Sequence, residues 1–167
     1  MQFLNPYLPQ LQVLAAMLLS LFLGGLIGYE RETANKPAGL RTHMMVASAV
    51  TLIVQMGNIV VIQFVRQEVA SGVVNTDPIR IVEAVTAGVG FLGAGTIIQR
   101  RGDVEGLTTA ASIFFTAAIG IAVALSQFII AVGGTVLALL TLRVVHAVER
   151  RLREKFIDDD AVREDED

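Results

Sequence analysis

Residues 106–142 read GLTTAASIFFTAAIGIAVALSQFIIAVGGTVLALLTL and contain no charged side chain over 37 positions. As one straight helix, this run would extend about 55 Å, nearly twice the roughly 30 Å thickness of the hydrocarbon core of a bilayer. The run is therefore predicted to form two membrane spans. The only polar pair near its middle is Ser126-Gln127, which places the turn there and the two helices at about 107–125 and 128–146.

Three further spans are predicted before this run. Residues 8–29 and 42–65 are free of formal charge, and residues 79–99 hold only Arg80 and Glu83, near their start. The whole chain is 53% hydrophobic and 17% charged, below the roughly 25% charge of soluble domains. The first run lacks the basic start of a signal peptide. The sequence thus predicts an all-α polytopic membrane helix bundle with about five transmembrane helices, in a transmembrane domain of residues 1–146.

The positions of Lys and Arg predict how the bundle is inserted. With the N-terminus outside, 11 of the 13 basic residues fall in cytoplasmic segments, and only Arg66 and Arg80 fall outside. Cytoplasmic loops of membrane proteins carry this excess of basic residues. A bacterial inner membrane location with a cytoplasmic C-terminus is therefore expected. Residues 147–167 are predicted to form a cytoplasmic basic amphipathic segment followed by an acidic disordered tail.

The third span contains the literal pattern GxGxxG at residues 88–93. This pattern binds dinucleotides only between a strand and a helix, and no strand can precede it at membrane depth. Small residues instead allow close helix packing, and we expect this helix to lie centrally between neighbours. The alternative is a broken helix whose carbonyl groups line an ion path. On a helical wheel, the small residues form two faces, Ala84, Gly88 and Gly95 on one side and Ala87, Gly90, Gly93 and Ala94 on the other.

Polar residues within the second span lie on one stripe of the helix. These residues are Ser48, Thr51, Gln55 and Asn58. Intramembrane polar groups are costly and are functional candidates by default. Hydrogen bonds between helices would account for the stripe, and a hydrophilic path for a cation or small solute is the alternative.

Four carboxylates are candidate ligands for Mg²⁺, although no cofactor is expected. Glu83 either pairs with Arg80 three residues earlier or binds a proton or divalent ion inside the bundle. Asp77, followed by proline, is typical of a helix start. Glu30 and Glu32 follow the first span, where the helix dipole disfavours anions. They are predicted either to join a salt-bridge network with nearby basic residues, tying the first three spans together, or to form a cytoplasmic cation or partner site.

Two further polar features are interpreted as structural. Thr108 and Thr109, at the start of the fourth span, are typical capping or packing residues. His43 is expected to make hydrogen bonds, because the chain has no cysteine and only two histidines, so a zinc site is not expected.

Four motifs in order resemble the N-terminal membrane domain of the MgtC/SapB family. They are GLIGYERE (25–32), PAGLRTHMMV (37–46), DPIRIVEAVTAGVGFLGAGTII (77–98) and GLTTAASIFFTAAIG (106–120). The resemblance covers about residues 8–145. It is to a short form without the cytoplasmic ACT-like domain of longer members, and at Glu83 the family more often has an uncharged residue. The family motif positions in this sequence are Glu30, Arg31, Glu32, Arg41, Thr42, His43, Asp77, Arg80, Gly90, Gly93, Gly95, Thr108 and Thr109.

The resemblance implies an inner-membrane protein linked to growth in low magnesium and to survival of pathogens in macrophages. The best-studied member is described as restraining the ATP synthase rather than carrying Mg²⁺. We therefore expect a non-enzymatic protein that binds a membrane protein partner or itself, as a homo-oligomer in the lipid bilayer, and no nucleic acid. The alternative is a secondary transporter or channel for Mg²⁺ or another cation.

Overall fold

The computed structural model describes residues 7–68, 79–100 and 103–144. This part of the chain consists mainly of helices, which confirms the predicted all-α bundle. Three of its helical segments are long and apolar enough to cross a membrane, namely Leu8–Thr33, Leu40–Gln63 and Leu107–Ala124. The elements in chain order are α1 (Leu8–Thr33), α2 (Leu40–Glu68), α3 (Ile79–Ala94), β1 (Ile98–Arg100), β2 (Asp103–Glu105), α4 (Leu107–Ala124) and α5 (Phe128–Val144).

The outer surface of the bundle carries large apolar side chains. Leu18 on α1 is 67% exposed and Ile129 on α5 is 91% exposed. Such contiguous apolar surface is rare on soluble monomers, whereas a bilayer covers it without cost. Together with the length of the apolar helices, this surface identifies the chain as a membrane protein.

Helices α1 and α2 form an antiparallel hairpin held by backbone contact at two glycines. A Cβ atom added to Gly24 would lie 2.6 Å from the carbonyl oxygen of His43, and one added to Gly28 would lie 2.7 Å from the Cα atom of Leu40. The two glycines are four residues apart and therefore share one face of α1. Their missing side chains let the two helix backbones touch, as small residues do in membrane helix pairs.

The ends of α1 and α4 are set by left-handed residues. Asn35 has φ 54°, and Ser126 has φ 59°. At each site, the backbone N–H of the following residue donates to the carbonyl oxygen five positions earlier. These bonds run from Lys36 to Arg31 and from Gln127 to Ala122. This pattern is the Schellman motif, which satisfies the last carbonyl groups of a helix and reverses the chain. The motif at Ser126 divides the long uncharged run into α4 and α5.

Helices α2 and α4 run parallel to each other in constant register. Thr51 Oγ1 donates to the Gly120 carbonyl oxygen at 2.9 Å, and Gln55 Nε2 donates to the Ala124 carbonyl oxygen at 3.4 Å. Both pairs are separated by 69 residues, so residue numbers rise together along the two helices. A parallel pair requires the intervening chain to return in the opposite direction. Helix α3 makes that return, because Ile81 at its start meets Gly57 on α2 and Gly93 near its end meets Ala110 at the start of α4.

Helix α4 lies at the centre of the bundle. One hydrophobic cluster joins α2, α3 and α4 through Val50, Val89 and Ile113, and a second joins α1, α4 and α5 through Leu23, Val123 and Ala131. Only α4 contributes to both clusters among the described helices. The prediction that the third span would be central is therefore wrong within one chain. The core favours α4 because its larger apolar side chains are buried on more than one face.

The third helix is also shorter than the sequence predicted. The span was expected to reach residue 99, but α3 ends at Ala94, and Ile98–Arg100 pairs with Asp103–Glu105 as an antiparallel hairpin. At about 1.5 Å per residue, the 16 residues of α3 extend about 24 Å, less than the hydrocarbon thickness. Gly95 follows the helix directly, and Ile97 and Ile98 are branched residues that favour strands. Hydropathy alone could not separate this apolar strand from the end of a helix.

Candidate functional site

A buried ion pair lies at the end of α1. Arg31 donates from Nε to Glu30 Oε2 at 2.6 Å and from Nη2 to Glu30 Oε1 at 2.9 Å. Both residues are buried, with 3% and 6% of their surface exposed. Each charge thus has its partner on the same helix. The positive charge also lies where the negative end of the α1 dipole favours it.

Glu32 is held by the next helix rather than by a basic side chain. Its Oε2 atom accepts the backbone N–H of Leu40, the first residue of α2, at 2.8 Å. The start of a helix carries free N–H groups and a partial positive charge, so it stabilises a carboxylate. The predicted salt-bridge network across three spans is thus not what the described contacts show. The Glu32 bond joins α1 to α2, and Glu30 pairs within α1.

His43 connects α2 to α4 beside the Glu30–Arg31 pair. Its side chain is fully buried, its Nδ1 lies 2.9 Å from the Gly39 carbonyl oxygen, and its Nε2 lies 3.1 Å from Ser112 Oγ. A carbonyl oxygen only accepts, so Nδ1 carries a hydrogen. In the neutral ring Nε2 then accepts, so the Ser112 hydroxyl is its donor; Ser112 Oγ also lies 2.8 Å from the Thr109 carbonyl oxygen, which competes for the same hydrogen. His43 therefore makes hydrogen bonds at both ring nitrogens.

The face of α4 that meets α2 is polar. Thr109, Ser112 and Thr116 are buried at spacings of three and four residues, on the same face as Gly120. Among the described residues, Thr116 Oγ1 is a buried side-chain atom without a hydrogen-bond partner. Only Thr109 of these hydroxyl residues was singled out from the sequence. The signal that could have found the others is the spacing of hydroxyl residues along an otherwise apolar run.

The polar stripe of α2 has two different roles. Ser48 donates within its own helix, to the carbonyl oxygens of Met44 and Met45. Thr51 Oγ1 lies 2.9 Å from the Ala47 carbonyl oxygen of α2 and equally far from the Gly120 carbonyl oxygen of α4, and Gln55 donates to α4. Asn58 instead lines a cleft of about 600 Å³ at the end of the bundle where α4 turns into α5. Three further polar side chains border this cleft, those of Gln12, Gln55 and Ser126. The inner part of the stripe is therefore packed, and its outer part faces open space.

Two of the three glycines of α3, Gly88 and Gly90, face away from the rest of the described chain. A Cβ atom added to Gly88 or Gly90 would meet nothing within 4 Å. The side of α3 that packs on the bundle is formed by Val85, Val89 and Gly93. A groove lies on each side of α3, one of about 410 Å³ with α2 that includes Gly88, and one of about 380 Å³ with α4 that includes Gly90. Of the two small faces predicted from the sequence, Gly88 and Gly90 are thus uncovered within one chain, whereas Gly93 of the second face packs against Ala110.

The three candidate metal ligands that the structure describes, Glu30, Glu32 and Glu83, do not converge. Glu83 lies exposed near the start of α3, Glu30 is paired with Arg31, and Glu32 is bonded to Leu40 at the far end of the bundle. Asp77 lies outside the described residues. Within the described ranges, no group of three His, Cys, Asp or Glu side chains could hold a metal ion.

The remaining motif residues are placed around these features. Arg41 is exposed and Thr42 half-buried at the start of α2, and Thr108 is exposed at the start of α4. Gly95 lies in the turn after α3. Arg80 is exposed one turn before Glu83, and these two side chains form no ion pair in the part of the chain that is described. Of the two alternatives for Glu83, the local pair with Arg80 is thus not what the described contacts show.

Comparison with known proteins identifies the family. A model of the MgtC family matches residues 17–151, which include the Glu30–Arg31 pair, His43 and α3. The chain belongs to the MgtC family. No solved structure matches it.

Several curated relatives are longer than this MgtC-family chain. It is 39% identical over 140 residues to YhiD of Escherichia coli (strain K12), a protein provisionally named as a magnesium transporter. That alignment covers 83% of this chain and 63% of the relative. SrpB of Synechococcus elongatus is 36% identical, with 80% of this chain and 75% of the relative covered. MgtC of Salmonella typhimurium (strain LT2) is 34% identical, with 89% and 56% covered.

Proposed function

We propose that this MgtC-family protein acts by binding another protein within the bacterial inner membrane, as part of adaptation to low magnesium. The link to magnesium comes from the family and from the name given to its relative YhiD. The proposed orientation has the N-terminus outside and the C-terminus in the cytoplasm, supported by the distribution of Lys and Arg.

The observation that carries this proposal is the unfilled small-residue surface of α3. Backbone atoms of a neighbouring helix occupy the space that a side chain would take at Gly24, Gly28 and Gly120. At Gly88 and Gly90 that space is open, beside two grooves. Gly costs roughly 1 kcal/mol relative to Ala within a helix. In lipid, close van der Waals contact between helices offsets that cost, and fluid acyl chains supply it less well. A second helix in these grooves would give the exposed glycines a packing role.

An enzymatic role is not part of the proposal. His43 and Ser112 are in contact, as a base and a nucleophile would be. Both are buried, however, and Nδ1 of His43 bonds to a backbone carbonyl rather than to a carboxylate. Ser112 also borders a cavity of about 310 Å³, but the residues that line this cavity include no acid or base that would complete a catalytic set. We assign this contact to the cohesion of α2 and α4.

Substitution of the exposed glycines tests the proposal. Gly88→Leu and Gly90→Leu should abolish growth in low Mg²⁺ that depends on this protein, while the protein still accumulates in the membrane. Gly133→Leu is the matched control, because Gly133 on α5 also has nothing within 4 Å of an added Cβ. Normal growth of both α3 variants would show that these faces bind no functional partner.

A second candidate function is transport of Mg²⁺ or another cation. It is favoured by the cleft of about 600 Å³, whose amide side chains Gln12, Gln55 and Asn58 could replace water around an ion. Liposomes containing the protein would show ion flux, and Asn58→Leu would reduce it. Glu83→Gln should reduce it too if Glu83 attracts the cation. Absence of flux in the unmodified protein would eliminate this candidate.

A further inference from the structure

We infer that α3 is the contact between two copies of this chain, related by a two-fold axis along the membrane normal. In this arrangement, Arg80 of each copy pairs with Glu83 of the other. The inference rests on the proposed function, in which α3 is the binding surface, and it names the partner as a second copy.

The outward face of α3 defines where the axis would lie. Val85, Val89 and Gly93 are buried against the bundle, and the residues on the opposite side are exposed. At 100° per residue, Ala87 and Ala94 lie along one line on this outward face. Both are small, so a second helix can approach closely along that line.

Two large side chains lie on one side of the line formed by Ala87 and Ala94. Arg80 and Phe91 lie on the same flank, and Phe91 is 84% exposed. Glu83 and Gly90 lie on the other flank. Glu83 carries the charge opposite to that of Arg80, and Gly90 is small where Phe91 is large. Gly90 has nothing within 4 Å of an added Cβ atom, so it leaves space for a large side chain.

A two-fold axis brings opposite flanks together. When two parallel helices are related by such an axis, the left flank of one faces the right flank of the other at the same height. Arg80 would then lie about 4.5 Å along the axis from Glu83 of the second copy, within reach of its long side chain. Phe91 would lie one residue from Gly90 of the second copy. The surface is therefore self-complementary in charge and in shape.

Lipid does not offer the same match. Arg80 and Glu83 form no ion pair within the described part of the chain, and both are exposed. Acyl chains carry no charge and can pair with neither side chain. A second copy provides both signs at the required height, and two reciprocal pairs form at one symmetric contact.

Cysteine cross-linking tests the contact in a chain that naturally has no cysteine. In native membranes, Ala87→Cys should form disulfide-linked dimers on oxidation, because Ala87 lies near the axis. Gly133→Cys, at an exposed position of α5, is the control away from α3 and should remain monomeric. Equal amounts of dimer from the two variants would overturn the inference.

Charge reversal tests the reciprocal pairs. Introduced into the Ala87→Cys chain, Arg80→Glu or Glu83→Arg alone should remove most of the dimer band. The double reversal should restore it, which a merely unfolded single variant could not explain. Failure of the double reversal to restore cross-linking would contradict the proposed pairing.

The two proposals fail in different ways. If Ala87→Cys does not cross-link but Gly90→Leu still abolishes growth in low Mg²⁺, α3 binds a different protein, and the two-fold contact is wrong. If Gly90→Leu abolishes cross-linking but growth is normal, the two-fold contact stands and the proposed function is wrong.

Discussion

Arg31 and Glu30 are consecutive residues, yet both are buried and joined by two hydrogen bonds at the end of α1. Removing two charges from water is costly, and their mutual attraction offsets that cost only when the geometry is good. The bidentate geometry meets this condition. Loss of one partner would leave the other charge buried without compensation.

Neutralising one member of the pair should therefore be worse than neutralising both. We expect Arg31→Gln to lower the free energy of unfolding by about 3 kcal/mol, and the Glu30→Gln/Arg31→Gln double variant to lower it less. Chemical unfolding in detergent micelles, followed by circular dichroism, measures both values. A double variant less stable than Arg31→Gln would show that the pair is not energetically coupled in this way.

At the scale of elements, the glycines divide into those that hold two helices together and those that face outward. Gly24 and Gly28 bring α1 within backbone contact of α2, and Gly120 brings α4 close to Ala47 of α2. Backbone atoms cannot rotate away from an added methyl group as a flexible side chain can. The helices would have to separate instead.

Alanine substitutions should distinguish the glycines that are in backbone contact from those that face outward. Gly24→Ala and Gly28→Ala are expected to lower the free energy of unfolding by about 1–3 kcal/mol, as overpacking does in protein cores. Gly133→Ala, at an open helical position, should be neutral or stabilise by up to about 1 kcal/mol. Thermal unfolding of the three variants in one detergent provides the comparison. Equal melting temperatures would contradict the close backbone contact of α1 and α2.

The hairpin between α3 and α4 also depends on one glycine. Gly106 has φ +90°, and a Cβ atom there would clash with the Thr96 carbonyl oxygen. Gly106→Ala is expected to lower the free energy of unfolding by more than about 1 kcal/mol, because it combines a left-handed backbone with a steric clash. Gly95→Ala, whose added Cβ would be 3.3 Å from the Leu92 carbonyl oxygen, is the milder control. Similar stability of the two variants would show that the turn at Gly106 can relax.

On the scale of the whole molecule, the parallel register of α2 and α4 fits a chain that crosses the membrane back and forth. The connection between α1 and α2 and the start of α4 lie at one end of the bundle, and the turn between α4 and α5 lies at the other. The proposed orientation places the first of these ends in the cytoplasm. Lys36 lies at this first end, and Gln127 lies at the other.

Single cysteines introduced into this cysteine-free chain report the orientation. In intact spheroplasts, a membrane-impermeant maleimide should label Gln127→Cys and leave Lys36→Cys unlabelled until the cells are lysed. Both positions are outside the apolar interior of the bundle, so accessibility depends on the side of the membrane. The opposite pattern would reverse the proposed topology.

The amino-acid sequence by itself determined the all-α class, the membrane environment and the family. These properties depend on hydropathy, charge and motif spacing, which are local along the chain. The polar residues of α2 were also predictable as a stripe, because helical periodicity places them on one face. Their partners were not, since Thr51 and Gln55 bond to residues 69 positions away.

Only the tertiary structure decided what each small or charged residue meets. Glu32 is satisfied by the start of α2, α4 rather than α3 is central, and the glycines in backbone contact include Gly24 and Gly28 but not Gly88 or Gly90. The physical reason is that a small side chain permits close approach without selecting the partner. A neighbouring helix, lipid and a second protein are all compatible with it, and only the arrangement of the whole bundle distinguishes them.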